Sequence, residues 1–531
     1  MADVSRRRDV ITSGWCPSLV VLLLVMMTCL AGCQTMLEPR PTAASNPPAV
    51  TEASYGELLG LRLDEVLNRL EESGTVVGVR VLDAETGDEL TANAWADYPL
   101  KPASNMKLIS TAIALEVLGP EHTFKTYLAR EGEDLYVVGT GDPAVADPAI
   151  AEARGEELLA VFDRWADALK AAGITEVSGG IVVDESAYES FHTHPSWWPE
   201  DLLYYYGAPV SALNLNDNCV DITAEVTSAG RPVKVSLVPA TQSVEVVNRM
   251  TTDDGVEPHE QASVYKVSGK NTYVLTGELK DGPMTASLPV SDAAMFFGDA
   301  LRTALLERGI VVTGGVRKGV WPGEAGIDGD ERVVAVHEST MDEVLKRTNK
   351  PSMNLFADAL MKAAGLAHQR ANDRPYPGSW LSGRRAVEAW FEEEGIESIG
   401  LVIADGSGLS HNNRVTARMI SDMLLVMHRH EDAAMFKDSL TIAGVDGTLR
   451  RRMTDIAGAM RGKTGTITGA SALSGYVTTE DGRELIFSII HNRNPSSRAA
   501  RALQDEAVRV MYYGADWSPE PAAAAAAAAA E

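Results

Sequence analysis

Ser104-Asn105-Met106-Lys107 stands at the head of Leu108–Leu118, where apolar residues recur at helical spacing. In the first turn of a helix these two polar side chains fall one step apart on the same face. Serine is a weak nucleophile until a neighbouring base takes its proton, and lysine becomes that base only where desolvation or a nearby cation lowers its pKa. The pair therefore needs a sizeable core around it. At 531 residues and 45% hydrophobic the chain can build one, in two or three domains. The same spacing recurs at Ser263-Val264-Tyr265-Lys266, but there the alternating pattern reads as a strand, which points serine and lysine to opposite faces.

Two further short elements carry polar side chains suited to a cleft. Ser352-Met353-Asn354 follows Lys350-Pro351 and precedes the helical run Leu355–Ala364, so a turn between helices can present both side chains. Ser410-His411-Asn412 has the same spacing, which leaves this signal ambiguous by itself. Lys463-Thr464-Gly465 opens a run of small and β-branched residues, Thr466-Ile467-Thr468. As an edge strand it would line a cleft with an ammonium, hydroxyls and backbone amides.

Taken in this order, the three elements resemble those of the penicillin-recognising serine enzymes. Flanking segments narrow the likeness: Pro102-Ala103 before Ser104, Gly141-Asp142-Pro143, Asp405-Gly406-Ser407-Gly408-Leu409-Ser410 with Asn413-Arg414-Val415-Thr416, and Gly444–Leu449. Together they are similar to the class C low-molecular-mass penicillin-binding proteins, which are D-Ala-D-Ala carboxypeptidases and endopeptidases. The resemblance covers about residues 55–515, and that family carries a large insertion where this chain has its wide gap between Lys107 and Ser352. It implies that Ser104 is acylated, that Lys107 is its general base, and that Ser352 relays a proton to the departing D-alanine. It also implies that Lys463, Thr464, Gly465 and Thr466 hold the substrate carboxylate and build the oxyanion hole with the Ser104 amide, while Asn354 binds the substrate amide. Trp198, Asp201 and Tyr206 resemble the family's aromatic and acidic pocket, in which a carboxylate grips the ammonium of a diaminopimelate side chain. Pro199, Glu200 and the run Tyr204–Tyr206 depart from that pattern, and core packing explains Trp197, Trp198 and Tyr205 as well.

The expected partners are peptidoglycan peptides and β-lactams. No metal or organic cofactor is implied, and nothing in the sequence specifies an oligomeric state. The formal charge of −27 repels phosphate backbones and argues against nucleic acid. A phosphate loop at Gly458–Thr464 fails because three residues, not four, separate its glycines. The rival readings are a β-lactamase on the same scaffold, a transpeptidase, and a noncatalytic peptidoglycan-binding lipoprotein.

Residues 1–33 read as an export signal: Arg6–Arg8, the apolar run Leu19–Met27, then Leu30-Ala31-Gly32-Cys33, which resembles a bacterial lipobox with Cys33 as the lipidated residue. Gln34 after the cysteine favours sorting to the outer membrane, on its periplasmic side. Residues 34–54, rich in Pro, Ala, Ser and Thr, form a flexible tether with a mean reach of roughly 25 Å. Cys16 and Cys29 leave with the signal, so Cys219 has no internal partner and reads as a small buried hydrophobe.

Helix at Leu58–Leu70 and strand at Val76–Leu82 open the core; strands at Ala472–Tyr476 and Leu485–Ile490 and helix at Ser497–Tyr512 close it. Between them, 128–287 has the texture of short strands and turns. The expected fold is α/β: a β-lactamase/transpeptidase-like domain at 55–127 and 288–515, its antiparallel sheet flanked by helices with a helical subdomain, interrupted by a mainly β insertion at 128–287. Helical periodicity resumes at Ser291, where the catalytic domain is expected to restart, and 516–531 forms an Ala-rich tail.

Overall fold

The computed structural model describes residues 54–256, 259–323 and 327–518; Cys33, the export signal and nearly all of the tether and tail lie outside the described residues. Among those residues no helix is long and apolar enough to cross a membrane.

A six-stranded antiparallel sheet runs in the order Thr441–Ile442, Met460–Ile467, Ala470–Thr478, Glu484–Asn492, Val76–Asp83, Glu89–Ala92. The N-terminal strand thus sits beside the C-terminal one, with Val76 opposite Asn492 and Asp83 opposite Leu485. Strand alternation divides the sheet between two cores. Val77, Val79, Val81, Leu485, Phe487 and Ile489 face helices Tyr55–Leu67 and Ser497–Tyr513. Leu82, Ile486, Ile490, Ala472 and Tyr476 face the helical subdomain. Burial on both faces is why Ala470–Tyr476 reads as an almost unbroken run of small and apolar residues.

The helical subdomain is built on Met106–Leu118, whose residues 106–115 are all buried. A helix enclosed on every side must sit in the middle of a large core. Helices Met341–Asn349, Asn354–Ala371, Trp380–Glu393 and Ala417–Arg429 pack around it through Phe356, Leu360, Trp390, Met419 and Met423.

The inserted unit differs from its expected bounds and composition. Its five-stranded mixed sheet has the order Val316–Lys318, Ile181–Asp184, Asp134–Gly139, Thr123–Glu131, Val333–Thr340. Helix Ala293–Glu307, expected to restart the catalytic domain, instead packs Phe297 between Phe162 and Trp165 of helix Ala160–Ala171. Its N-cap is Asp292, which accepts from the Met295 amide. Helical periodicity marks a buried face without saying which core buries it, so the boundary at 287 falls too early. The unit carries helices as well as strands, and its first and last strands pair at Thr123 and Thr340. Thr340 then caps helix Met341–Asn349. The insertion therefore leaves the helical subdomain after Met106–Leu118 and rejoins it at Met341–Asn349, the helix that precedes Ser352. Cys219 lies fully buried at the start of strand Cys219–Glu225, and Ser263–Lys266 is a strand, with Ser263 exposed and Lys266 buried.

Candidate active site

Ser104 lies in the short turn Ala103–Asn105 that feeds the buried helix, and Lys107 is in that helix's first turn. Lys107 is fully buried, and its Nζ sits 3.1 Å from Ser104 Oγ, 2.6 Å from Asn354 Oδ1 and 2.7 Å from the Ser407 carbonyl. Burial brings its pKa down to about 8, with the carboxylates of Asp358 and Asp405 pulling the other way. Ser104 itself is only half-buried and open to the cleft. Ala103, just before it, is held at φ +48°, and Ser352 at φ +67°. Left-handed backbone at residues with a Cβ costs about 1–3 kcal/mol each and persists where surrounding contacts fix it.

Ser352 occupies the turn between helices Met341–Asn349 and Asn354–Ala371. Its Oγ accepts from Lys463 Nζ at 2.8 Å, and Lys463 also reaches the Thr464 carbonyl at 2.8 Å. Lys463 is fully buried; burial first, then the neighbouring Lys107 ammonium, pushes it well below the ordinary lysine value. Two lysines thus share one buried centre, in which holding both protons is unfavourable.

Strand Met460–Ile467 is covered at its outer edge only by Thr441–Ile442, which pairs with Arg461 and Gly462. From Lys463 onward that edge faces the cleft, with Thr466 exposed and Thr464 hydrogen-bonded to Thr448 at 2.8 Å. Gly465 passes against the backbone at Ser104: a Cβ there would stand 2.9 Å from the Ser104 nitrogen and 2.7 Å from the Pro102 carbonyl. Only glycine lets the strand approach Ser104 so closely.

The remaining predicted residues lie on the loop between strands Ile181–Asp184 and Cys219–Glu225. The Tyr206 carbonyl accepts from Asn354 Nδ2 at 2.8 Å. Asp201 hydrogen-bonds to Tyr206, and partial burial raises its pKa. Trp198 is exposed and stacks on His411 at 4.0 Å, while Lys101 Nζ lies 3.3 Å from His411 Nδ1. Trp197, by contrast, is buried in the subdomain core.

Two positioning carboxylates support this centre: Asp358, which the sequence did not single out, and Asp405, which it named only as the head of the Asp405–Ser410 segment. Asp405 is buried and accepts from Gly408 N, Ser410 N, Asn413 Nδ2 and Trp197 Nε1, at 2.6–2.8 Å. Asp358 accepts from Gly406 N, Ser407 N and Trp380 Nε1; burial and the Asp405 carboxylate push it up to about 7. These two aspartates fold the loop that turns the Ser407 carbonyl toward Lys107. Asp358 is legible in retrospect as the residue one helical turn after Asn354. The second copy, Ser410-His411-Asn412, does not reach Lys107: Ser410 Oγ is bonded to Ser196 Oγ at 2.6 Å.

The model of the D-Ala-D-Ala carboxypeptidase 3 (S13) family matches residues 59–511. Over 502 residues the chain is 35% identical to the D-alanyl-D-alanine carboxypeptidase of Actinomadura sp. (strain R39), covering 90% of this chain and 89% of that one. It is 28% identical over 402 residues to the D-alanyl-D-alanine carboxypeptidase DacB of Haemophilus influenzae, covering 72% and 79%. The crystal structure of penicillin binding protein 4 (dacB) from Haemophilus influenzae has the same fold, with a TM-score of 0.68 at 24% identity over 85% of this chain and 97% of that one. Because the family match spans the inserted unit as well as the cleft, this chain belongs to the D-Ala-D-Ala carboxypeptidase 3 (S13) family and is a peptidase.

Proposed function

We propose that the enzyme removes the terminal D-alanine from peptidoglycan stem peptides through an acyl-enzyme on Ser104, opens D,D-crosslinks by the same chemistry, and is acylated by penicillins. The observation that carries this is the buried Lys107 Nζ at 3.1 Å from Ser104 Oγ. As the free amine it takes the hydroxyl proton while the oxygen attacks the carbonyl carbon of the penultimate D-alanine. The developing oxyanion is received by the backbone amides of Ser104 and Thr466, each such donor contributing about 3 kcal/mol. Ser352, bonded to Lys463, returns a proton to the leaving amine. Lys463, Thr464 and Thr466 hold the terminal carboxylate, and Asn354 binds the peptide amide. Water then hydrolyses the ester. The bulky inserted unit and its loop favour wall peptides over a β-lactamase role. Trp198, Asp201 and Tyr206 form the pocket for a diaminopimelate side chain, with Asp201 opposite its ammonium. Incubation with a diaminopimelate pentapeptide should release one D-alanine per peptide, and Ser104→Ala should release none; no release by the native enzyme rejects the reading.

The export signal and Leu30-Ala31-Gly32-Cys33 support anchoring of the mature protein through a lipidated Cys33, facing the periplasm from the outer membrane. Palmitate labelling in cells that is lost in Cys33→Ala, with the protein then recovered in the soluble periplasmic fraction, is the expected result. Equal labelling of both forms rejects it.

A further inference from the structure

Helix Asn354–Ala371 carries polar residues four apart along one line: Asn354, Asp358 and Lys362. The first two serve Lys107 and the loop bearing Ser407, as described above. Lys362 touches neither, yet it is fully buried. Its Nζ lies 3.0 Å from the Phe191 carbonyl, 3.5 Å from the Val210 carbonyl, 3.4 Å from Glu189 Oε1 and 3.6 Å above the centre of the Trp380 ring. The Val210 amide donates to the His192 carbonyl at 2.7 Å, so the two ends of the 192–210 loop meet beside this ammonium. A buried charge is tolerated only where its partners are complete, and an aliphatic side chain would fill the same space at no such cost.

That loop carries Trp198, Asp201 and Tyr206. It is tied at its base by Lys362 and near its end by the bond from Asn354 Nδ2 to the Tyr206 carbonyl, both from one helix. We propose that Lys362 is a positioning residue which clamps the 192–210 loop over the cleft, and so sets the enzyme's preference for a cationic side chain on the stem peptide without touching substrate. The preference itself rests on the pocket reading of Asp201 given above.

The test compares native full-length enzyme with Lys362→Met, Lys362→Arg and Asp201→Asn. Each is assayed for hydrolysis of a diaminopimelate pentapeptide, hydrolysis of its counterpart with alanine in place of diaminopimelate, and acylation by benzylpenicillin; amide hydrogen exchange is followed alongside. Lys362→Met should raise KM for the diaminopimelate peptide by about 10- to 100-fold. The alanine peptide and penicillin acylation should be unchanged, with exchange faster within 191–210 only. Lys362→Arg should keep most of the preference. A parallel fall of all three rates, or an intact preference with unaltered exchange, overturns the proposal. If Lys362→Met does not fold, Glu189→Gln should show the same selective loss, and an unchanged preference there overturns it. If Asp201→Asn keeps the preference, the pocket reading fails and the selectivity claim with it; if Asp201→Asn abolishes it while Lys362→Met does not, only the clamp fails.

Discussion

Lys107, the proposed general base, lies in the fully buried part of its helix, and the resulting pKa of about 8 dictates a pH profile. The reactive form is the free amine, so acylation should slow by about tenfold per unit as pH falls below 8 and should level off above it. A lysine at the ordinary 10.5 would still be gaining rate at pH 10. Stopped-flow acylation by a chromogenic β-lactam between pH 5 and 10 separates the two profiles. Lys107→Arg keeps the charge but offers no base at these pH values, and should lower the acylation rate by about 10²- to 10⁴-fold. At Gly465 the constraint is steric: Gly465→Ala pushes the strand off Ser104 N and should cost about 100-fold in acylation by misplacing the proposed oxyanion donors, together with about 1–3 kcal/mol of stability. These residues were legible in the sequence because their types and spacings carry the chemistry. Asp358 was not, since a buried carboxylate that organises a loop looks in sequence like any other acidic residue, and Asp405 was legible only as the head of the Asp405–Ser410 segment, without its part in holding the loop.

Among elements, the loop 405–413 depends on one carboxylate that answers four donors. Asp405→Ala would leave Gly408 N, Ser410 N, Asn413 Nδ2 and Trp197 Nε1 unsatisfied inside the protein, a loss of about 3–5 kcal/mol measurable by urea unfolding. Acylation should fall with it, because the Ser407 carbonyl that orients Lys107 rides on that loop. Periodicity was enough to find Tyr55–Leu67, Val76–Asp83, Glu484–Asn492 and Ser497–Tyr513, whose faces alternate cleanly between core and solvent or between two cores. The turns that hold Ala103 and Ser352 at positive φ could not be read, because neither residue is one that favours that region.

On the scale of the whole molecule, the inserted unit enters and leaves through a single pair of strands, a long-range pairing that no local pattern in the sequence marks. Helix Ala293–Glu307 is amphipathic in either assignment; only tertiary contacts place Phe297 against Phe162 and Trp165. Phe297→Ala should cost the inserted unit about 3–5 kcal/mol. Faster amide exchange is expected in Ala160–Ala171 and Ile181–Asp184, with Met106–Leu118 unaffected; equal loosening of Met106–Leu118 would show that the helix supports the catalytic core after all. The proposed mechanism requires Ser104 to be the acylated residue, and intact mass of the purified enzyme before and after benzylpenicillin tests this most directly. A single persistent penicilloyl adduct on the native enzyme, absent from Ser104→Ala, is the predicted result; an unmodified native enzyme, or an adduct that survives in Ser104→Ala, would contradict it.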